Sequence, residues 1–230
     1  MSKISDAIEC VWGKIVSACI RAGRSQTEIQ LCGVSKFHSR AEIDEAFSAG
    51  LQLFGENRVQ EATEKFAVQE KNGFQIHLIG GLQRNKAKRA VELFDCIQSV
   101  DRLSLIDELG ALTRDKQSPL PILLEIHTAE DSKSGFPDID SLLFGVERVF
   151  SYKGLLLQGL MTMAPNSNDE KSIRASFRAV AAAQKAVSTR FSNSCPILSM
   201  GMSNDFEIAI EEGSTMVRIG TAIFGKTRQK

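Results

Sequence analysis

The 230-residue chain has no excess of charge of either sign, because 28 basic and 28 acidic side chains cancel. A protein that holds nucleic acid or lies on an anionic membrane needs a surplus of lysine and arginine to meet the phosphates. Neither is expected as a partner. Paired cysteines are also lacking. The five present, Cys10, Cys19, Cys32, Cys96 and Cys195, are odd in number and contain no C-x-x-C spacing. This argues against a disulfide framework or a zinc ribbon, and most of the five read as small buried apolar side chains. Long apolar runs are missing too: the leading segment MSKISDAIECVWGKIVSACIRAGR is interrupted by Asp6, Glu9 and Lys14, so it reads neither as a signal peptide nor as a membrane span. A cytoplasmic protein is expected. With no Pro/Gly/Ser-rich linker and no low-complexity segment, residues 1–230 read as one domain. His38, His77 and His127 lie in different segments without metal spacing and read as structural histidines.

What is present is a rhythm. Ile4, Ile8, Val11, Ile15 and Cys19 recur at steps of three and four, predicting an amphipathic helix ahead of the first strand. Eight apolar runs then alternate with helical stretches: IQLCGVSK, LQLFGEN, FQIHLIGG, CIQSVD, PILLEIHT, LLLQGLMTMA, ILSMGMS and TMVRIGTA. Capping-box pairs at Ser39 with Glu42, Ser167 with Glu170 and Asn204 with Glu207 mark helix starts. Ile173, Phe177, Val180, Val187 and Phe191 form a packing stripe broken by Gln184. Strands alternating with helices imply parallel pairing, and eight repeats suit a closed (β/α)8 TIM barrel. An open doubly wound sheet stays compatible with the same periodicity.

Near the end of the sequence, GTAIFGKT (220–227) satisfies the P-loop pattern G-x-x-x-x-G-K-[ST]. That motif works by running a strand through its turn into a helix whose first amides face the phosphates. Only Arg228, Gln229 and Lys230 follow Thr227, less than one turn, so the nucleotide reading is set aside. Phosphate binding survives in another form: β/α barrels commonly build a phosphate pocket from the loops after strands seven and eight. Here those strands end in SMGMS and RIGT, with hydroxyls on Ser199, Ser203 and Thr221 and small residues at Gly201 and Gly220. The first strand ends on Lys36, which a closed barrel places beside strand eight, next to Gly220 and Thr221. A lysine there can attack an aldehyde to give a Schiff base.

This conjunction has a family form. VSK (34–36), FGENRVQE (54–61), HLIGGLQRNKAK (77–88), IQSVDR (97–102), SKSGF (132–136) and LSMGMSNDFEIAIEEGSTMVRIGTAIFG (198–225) resemble the signatures of the pyridoxal phosphate homeostasis protein family. Its members resemble the N-terminal barrel of alanine racemase. The resemblance implies a barrel with an extra N-terminal helix, without the racemase's C-terminal β domain, binding pyridoxal 5′-phosphate. It implies that Lys36 forms the internal aldimine and that Ser199, Met200, Gly220 and Thr221 hold the phosphate, largely through backbone N–H groups. Arg218 would face the pyridine nitrogen, and Asn57 would lie near the ring. Arg58, Glu125 and His127 depart from the family's usual residues.

The resemblance also bears on catalysis. A racemase of this kind needs a second acid/base on the far face of the cofactor, a tyrosine supplied by its C-terminal domain. The single tyrosine here, Tyr152, precedes strand six, away from the site. The expected role is that of a carrier or regulator of the cofactor, affecting amino-acid and keto-acid balance, with pyridoxal-phosphate-dependent apoenzymes as partners and a monomeric state. A racemase-like enzyme is the alternative, and a barrel for another phosphorylated metabolite a third reading. Lys86, Lys88 and Arg89 are expected on a solvated helix face, with Asn85 and Lys86 in reach of a ligand, and Glu211 with Glu212 as exposed helix residues.

Overall fold

The computed structural model describes residues 2–66, 73–128, 134–192 and 195–225. Ahead of the barrel, α1 (Lys3–Ala22) starts on a Ser2 cap and ends on Gly23 in the left-handed region. The barrel runs β1 (Gln30–Val34), α2 (Arg40–Ser48), β2 (Leu53–Glu56), α3 (Val59–Lys65), β3 (Gln75–Leu78), α4 (Ala87–Leu93), β4 (Cys96–Val100) and α5 (Leu103–Leu112). It continues through β5 (Leu120–Glu125), α6 (Ile139–Phe150), β6 (Leu155–Met161), α7 (Glu170–Phe191), β7 (Ile197–Ser199), α8 (Phe206–Glu211), β8 (Met216–Ile219) and α9 (Thr221–Phe224).

All eight strands are parallel, and β8 returns to β1, with Cys32 opposite Arg218 and Gly33 opposite Ile219. The sheet is therefore a closed (β/α)8 barrel, and the open-sheet alternative is excluded. Each of the eight apolar runs falls on a strand, β5 starting one residue ahead of its run, at Leu120. The stripe of α1 is buried as its spacing requires. It rests on α2, α8 and α9, covering the seam where β8 meets β1. Because α9 is a single turn, α1 supplies the apolar cover there that a longer eighth helix would give.

Strand periodicity sorts the barrel residues into two sets. Phe54, Ile76, Ile97, Ile122 and Leu124 join the large apolar layer between sheet and helices. Two small clusters, Cys32, Leu53 and Met216 and then Cys96, Leu123 and Met161, fill the barrel interior and meet at Ile197. Toward the carboxyl ends of the strands the interior turns polar: His77, Gln98, Glu125, Ser199 and Arg218 are all buried. Lys36 keeps the parity of Cys32 and Val34, which carries it toward the barrel mouth.

Three details depart from the sequence expectation. Ser39 and Glu42 do form a reciprocal capping box, but α7 is capped by Asp169, whose carboxylate accepts from the Lys171 amide, while Ser167 accepts from Asp169. Asn204 is likewise not the cap of α8. Asp205 is, and its carboxylate turns back to the Met202 amide at 2.6 Å. In both cases an aspartate one or two residues after the expected cap takes the position. Glu211 and Glu212 are not exposed: they pair with Arg21, Arg174 and Arg178 and tie α8 to α1 and α7.

Candidate functional site

A cavity of about 780 Å³ opens at the carboxyl ends of the strands. Its walls come mainly from the exits of four strands: Val34 and Lys36 at the end of β1, Ala164 to Asn168 after β6, Met202 to Asp205 after β7, and Arg218, Gly220 and Thr221 at β8, with Glu170 and Ile173 of α7 and Ile208 of α8 beside them. Closure of the barrel brings the first and last of these together, so Lys36, Arg218, Gly220 and Thr221 line one space. Gly220 is packed against β1, where an added Cβ would stand 3.3 Å from the Val34 Cβ and carbonyl. The first turn of α9 leaves its leading amides without intrahelical acceptors, next to the Thr221 hydroxyl.

Gly201 has a different task from the one its position suggests. Its φ of 96° lies in the left-handed region, and a Cβ would meet Ala209 Cβ at 2.6 Å and Phe206 Cα at 2.9 Å. The close approach it permits is that of the β7 exit to its own helix, α8. This approach delivers Met202 and Ser203 to the cavity rim.

Ser199 and Met200 are fully buried and are not among the residues lining the cavity. The Met200 amide donates to the Met216 carbonyl at 3.1 Å. The Ser199 hydroxyl donates to Gln98 Oε1 at 2.6 Å and accepts from Arg218 Nη1 at 2.8 Å. Gln98 in turn places its amide 2.8 Å from His77 Nδ1. A directed chain thus crosses the barrel, Arg218 to Ser199 to Gln98 to His77. Arg218 donates further to the carbonyls of Ser199 at 2.6 Å and Thr162 at 2.8 Å. Burial lowers its pKa from the ordinary guanidinium range, yet the group stays cationic at neutral pH. The result is a fixed positive charge held by neutral carbonyls and a hydroxyl, aimed into the cavity.

Asn57 is placed elsewhere, in a smaller hollow of about 360 Å³ with Arg58, Gly80, Gln83 and Lys86. Lys86 donates to Gln60 at 2.9 Å. Arg58 lies 6.0 Å over the Phe37 ring. Glu125 is buried inside the barrel and accepts from Ser134 Oγ at 2.6 Å. Burial pushes its carboxyl above the usual range, and Ser134 opposes this. His127 instead faces a cleft between α6 and α7. His38 stacks on Phe224 and meets Glu42 at 3.0 Å, a satisfied structural histidine. Ser132 and Lys133 of the SKSGF segment lie outside the described residues, as do Lys226 and Thr227.

Within GTAIFGKT the helix begins at Thr221, inside the pattern instead of after it, so a P-loop turn cannot form there. The sequence reading missed Gln98 and Thr162, which hold Ser199 and Arg218, and the 164–168 wall. Gln98 carried a signal: a polar amide in an apolar strand, at the parity of the barrel interior.

The family profile described as alanine racemase, N-terminal domain, matches residues 19–228. Among curated relatives, the pyridoxal phosphate homeostasis protein of Escherichia coli strain K12 is 40% identical over 232 residues, covering 98% of this chain and 97% of that one. The protein of the same name from Aquifex aeolicus is 34% identical over 215 residues, 94% of each chain. Among solved structures, PipY of Synechococcus elongatus with PLP bound superposes with a TM-score of 0.82 at 32% identity, over 96% of this chain and all of that one (100%). Alanine racemase from E. faecalis shares the fold, with a TM-score of 0.70 at 16% identity, and the match spans 59% of its length.

Proposed function

The chain belongs to the pyridoxal phosphate homeostasis protein family, and on that footing we propose that it binds pyridoxal 5′-phosphate and manages its supply inside the cell, acting throughout as one 1–230 unit. The carrying observation is that a lysine, a buried guanidinium and two small-residue strand ends share one cavity of about 780 Å³. PLP is the bound group in the PipY structure. When present, the cofactor supplies an aldehyde that condenses with a lysine amine and releases water.

Lys36 is the lysine positioned for that bond. Gly220, Thr221 and the Met202–Ser203 turn surround the phosphate end. Arg218 faces the ring nitrogen, and its permanent charge disfavours a proton there. Ser199 and Met200 act from beneath, Ser199 by holding Arg218, whereas Asn57 sits with Arg58 in the separate smaller hollow. That arrangement favours binding over chemistry on a bound amino acid, since an unprotonated ring nitrogen is a poorer electron sink. Tyr152 bonds to Asp107 at 3.0 Å on the helical layer, away from the mouth, so it offers no second acid/base. We read the protein as a monomeric, cytoplasmic carrier or regulator whose recipients are apoenzymes that use the same cofactor. The enzyme alternative predicts racemisation or transamination above the rate of free pyridoxal phosphate.

The test is spectroscopic. Mixed with pyridoxal phosphate, the wild-type protein acquires the visible band of a lysine Schiff base, and Lys36→Ala does not. Absence of the band in the wild type, or its persistence in the variant, would overturn the assignment. A turnover assay on the loaded protein then separates carrier from enzyme.

A further inference from the structure

Among the described residues the Lys36 ammonium has no hydrogen-bond or ion-pair partner, so its placement must come from its backbone. That backbone is clamped on both sides. Before it, the Ser35 amide donates to the Gly55 carbonyl at 3.0 Å and the Ser35 hydroxyl to Glu56 Oε1 at 2.8 Å. The Ser35 carbonyl accepts from Lys65 Nζ at 2.7 Å. After it, the Phe37 amide donates to Glu61. Lys65 joins the two sides, 2.9 Å from Glu56 and 2.7 Å from Glu61.

Two features set this cluster apart from an ordinary surface ion pair. Glu56 is fully buried, and its Oε2 has no hydrogen-bond partner; burying a carboxylate and an ammonium together brings a desolvation cost that apolar packing would avoid. Phe37 has a φ of 66°, a left-handed conformation that is unfavourable for a residue with a side chain. The Glu61 bond to its amide opposes relaxation of that turn. Both features serve the same two peptide units, those flanking Lys36.

We propose that Glu56, Lys65 and Glu61 are positioning residues for Lys36, a charged clamp on the outer face of β1 and β2 that aims the lysine into the barrel mouth without touching its side chain. The inference rests on the reading of Lys36 as the cofactor-bearing residue, and the test separates the two.

Glu61→Ala removes the acceptor of the Phe37 amide and one partner of Lys65, whereas Glu61→Gln keeps an acceptor and drops the charge. Lys65→Met, of similar volume, removes the bridge. In cofactor-free protein, amide hydrogen exchange over residues 35–38 rises about tenfold in Glu61→Ala and Lys65→Met, the size of one lost charge-assisted hydrogen bond, while the barrel strands keep their protection. Titration with pyridoxal phosphate shows a matching loss of affinity, and Glu61→Gln recovers part of both effects. Unchanged exchange and affinity in Glu61→Ala overturns the clamp. So does loosening spread evenly through the barrel, or a Gln variant no better than Ala, each marking a generic ion pair. A wild-type protein lacking the Lys36-dependent band defeats the Lys36 assignment instead, and the exchange measurement still decides the clamp.

Discussion

Replacing Ser199 with alanine removes one oxygen from the barrel interior, and the structure gives the cost. That oxygen donates to Gln98 Oε1 at 2.6 Å and accepts from Arg218 Nη1 at 2.8 Å. Without it, Gln98 is left with a buried carbonyl oxygen lacking its donor, and its amide is already committed to His77. A buried acceptor left unsatisfied costs about 1–3 kcal/mol. Arg218 Nη1 loses less, because the Ser199 carbonyl remains at 2.6 Å. The expected sum is about 2–3 kcal/mol, which for a chain of this length lowers the midpoint of thermal unfolding by roughly 5–10 °C. The measurement belongs in cofactor-free protein, by urea or thermal unfolding, so that loss of ligand contacts cannot contribute. Ser203, on the cavity wall and partly exposed, is the control. Ser203→Ala should change stability by less than about 0.5 kcal/mol and weaken pyridoxal phosphate binding instead. A Ser199→Ala protein as stable as wild type would refute the reasoning: the hydroxyl would then be spare, and the direct phosphate contact implied by the family resemblance would be the better account.

Glu125 carries a pH signature. Burial raises its folded pKa above the unfolded value, so the folded state binds the extra proton, and stability present below the unfolded pKa is lost as pH rises through the folded one. Glu56 and Asp205 are shifted the same way, again by burial. Glu125→Gln should therefore flatten the decline between acid and neutral pH, and identical pH–stability curves for the two proteins would contradict this. Gly201→Ala forces a side chain into a left-handed position 2.6 Å from Ala209 Cβ, at an expected cost of about 2–4 kcal/mol. Because the strain falls on the β7 exit, cofactor affinity should drop with stability, and a variant that binds normally would show that the turn does not set the rim. Tyr152→Phe should leave both the visible band and its affinity unchanged, and a lost band would place the tyrosine at the site after all.

Strand number, strand order and the neighbourhood of Lys36 with Gly220 and Thr221 were legible because they depend on periodicity and on closure, which eight β/α units and one seam determine. Lys36, Arg218 and Gly220 could be placed on the interior because side-chain direction alternates strictly along a strand. Depth was not legible. Alternation says that Ser199 points inward but not how far below the mouth it lies. Helix starts after β6 and β7 shifted for a local reason: neighbouring polar residues compete for one cap, and a single sequence does not rank Ser167 against Asp169. Glu56 and Glu61 stood in plain view within FGENRVQE, but their partnership through Lys65 depends on how α3 folds back over β2, which no spacing rule supplies.

The seam between β1 and β8 also governs when the cavity can exist. Its walls come from β1, β6, β7 and β8, so the first and last strands of the barrel must meet before the cavity forms. Such long-range closure is entropically costly and slow. A nascent or carboxy-terminally clipped chain would hold most of the barrel core and still lack the pocket. Ligand binding at the cavity would then report that the barrel has closed.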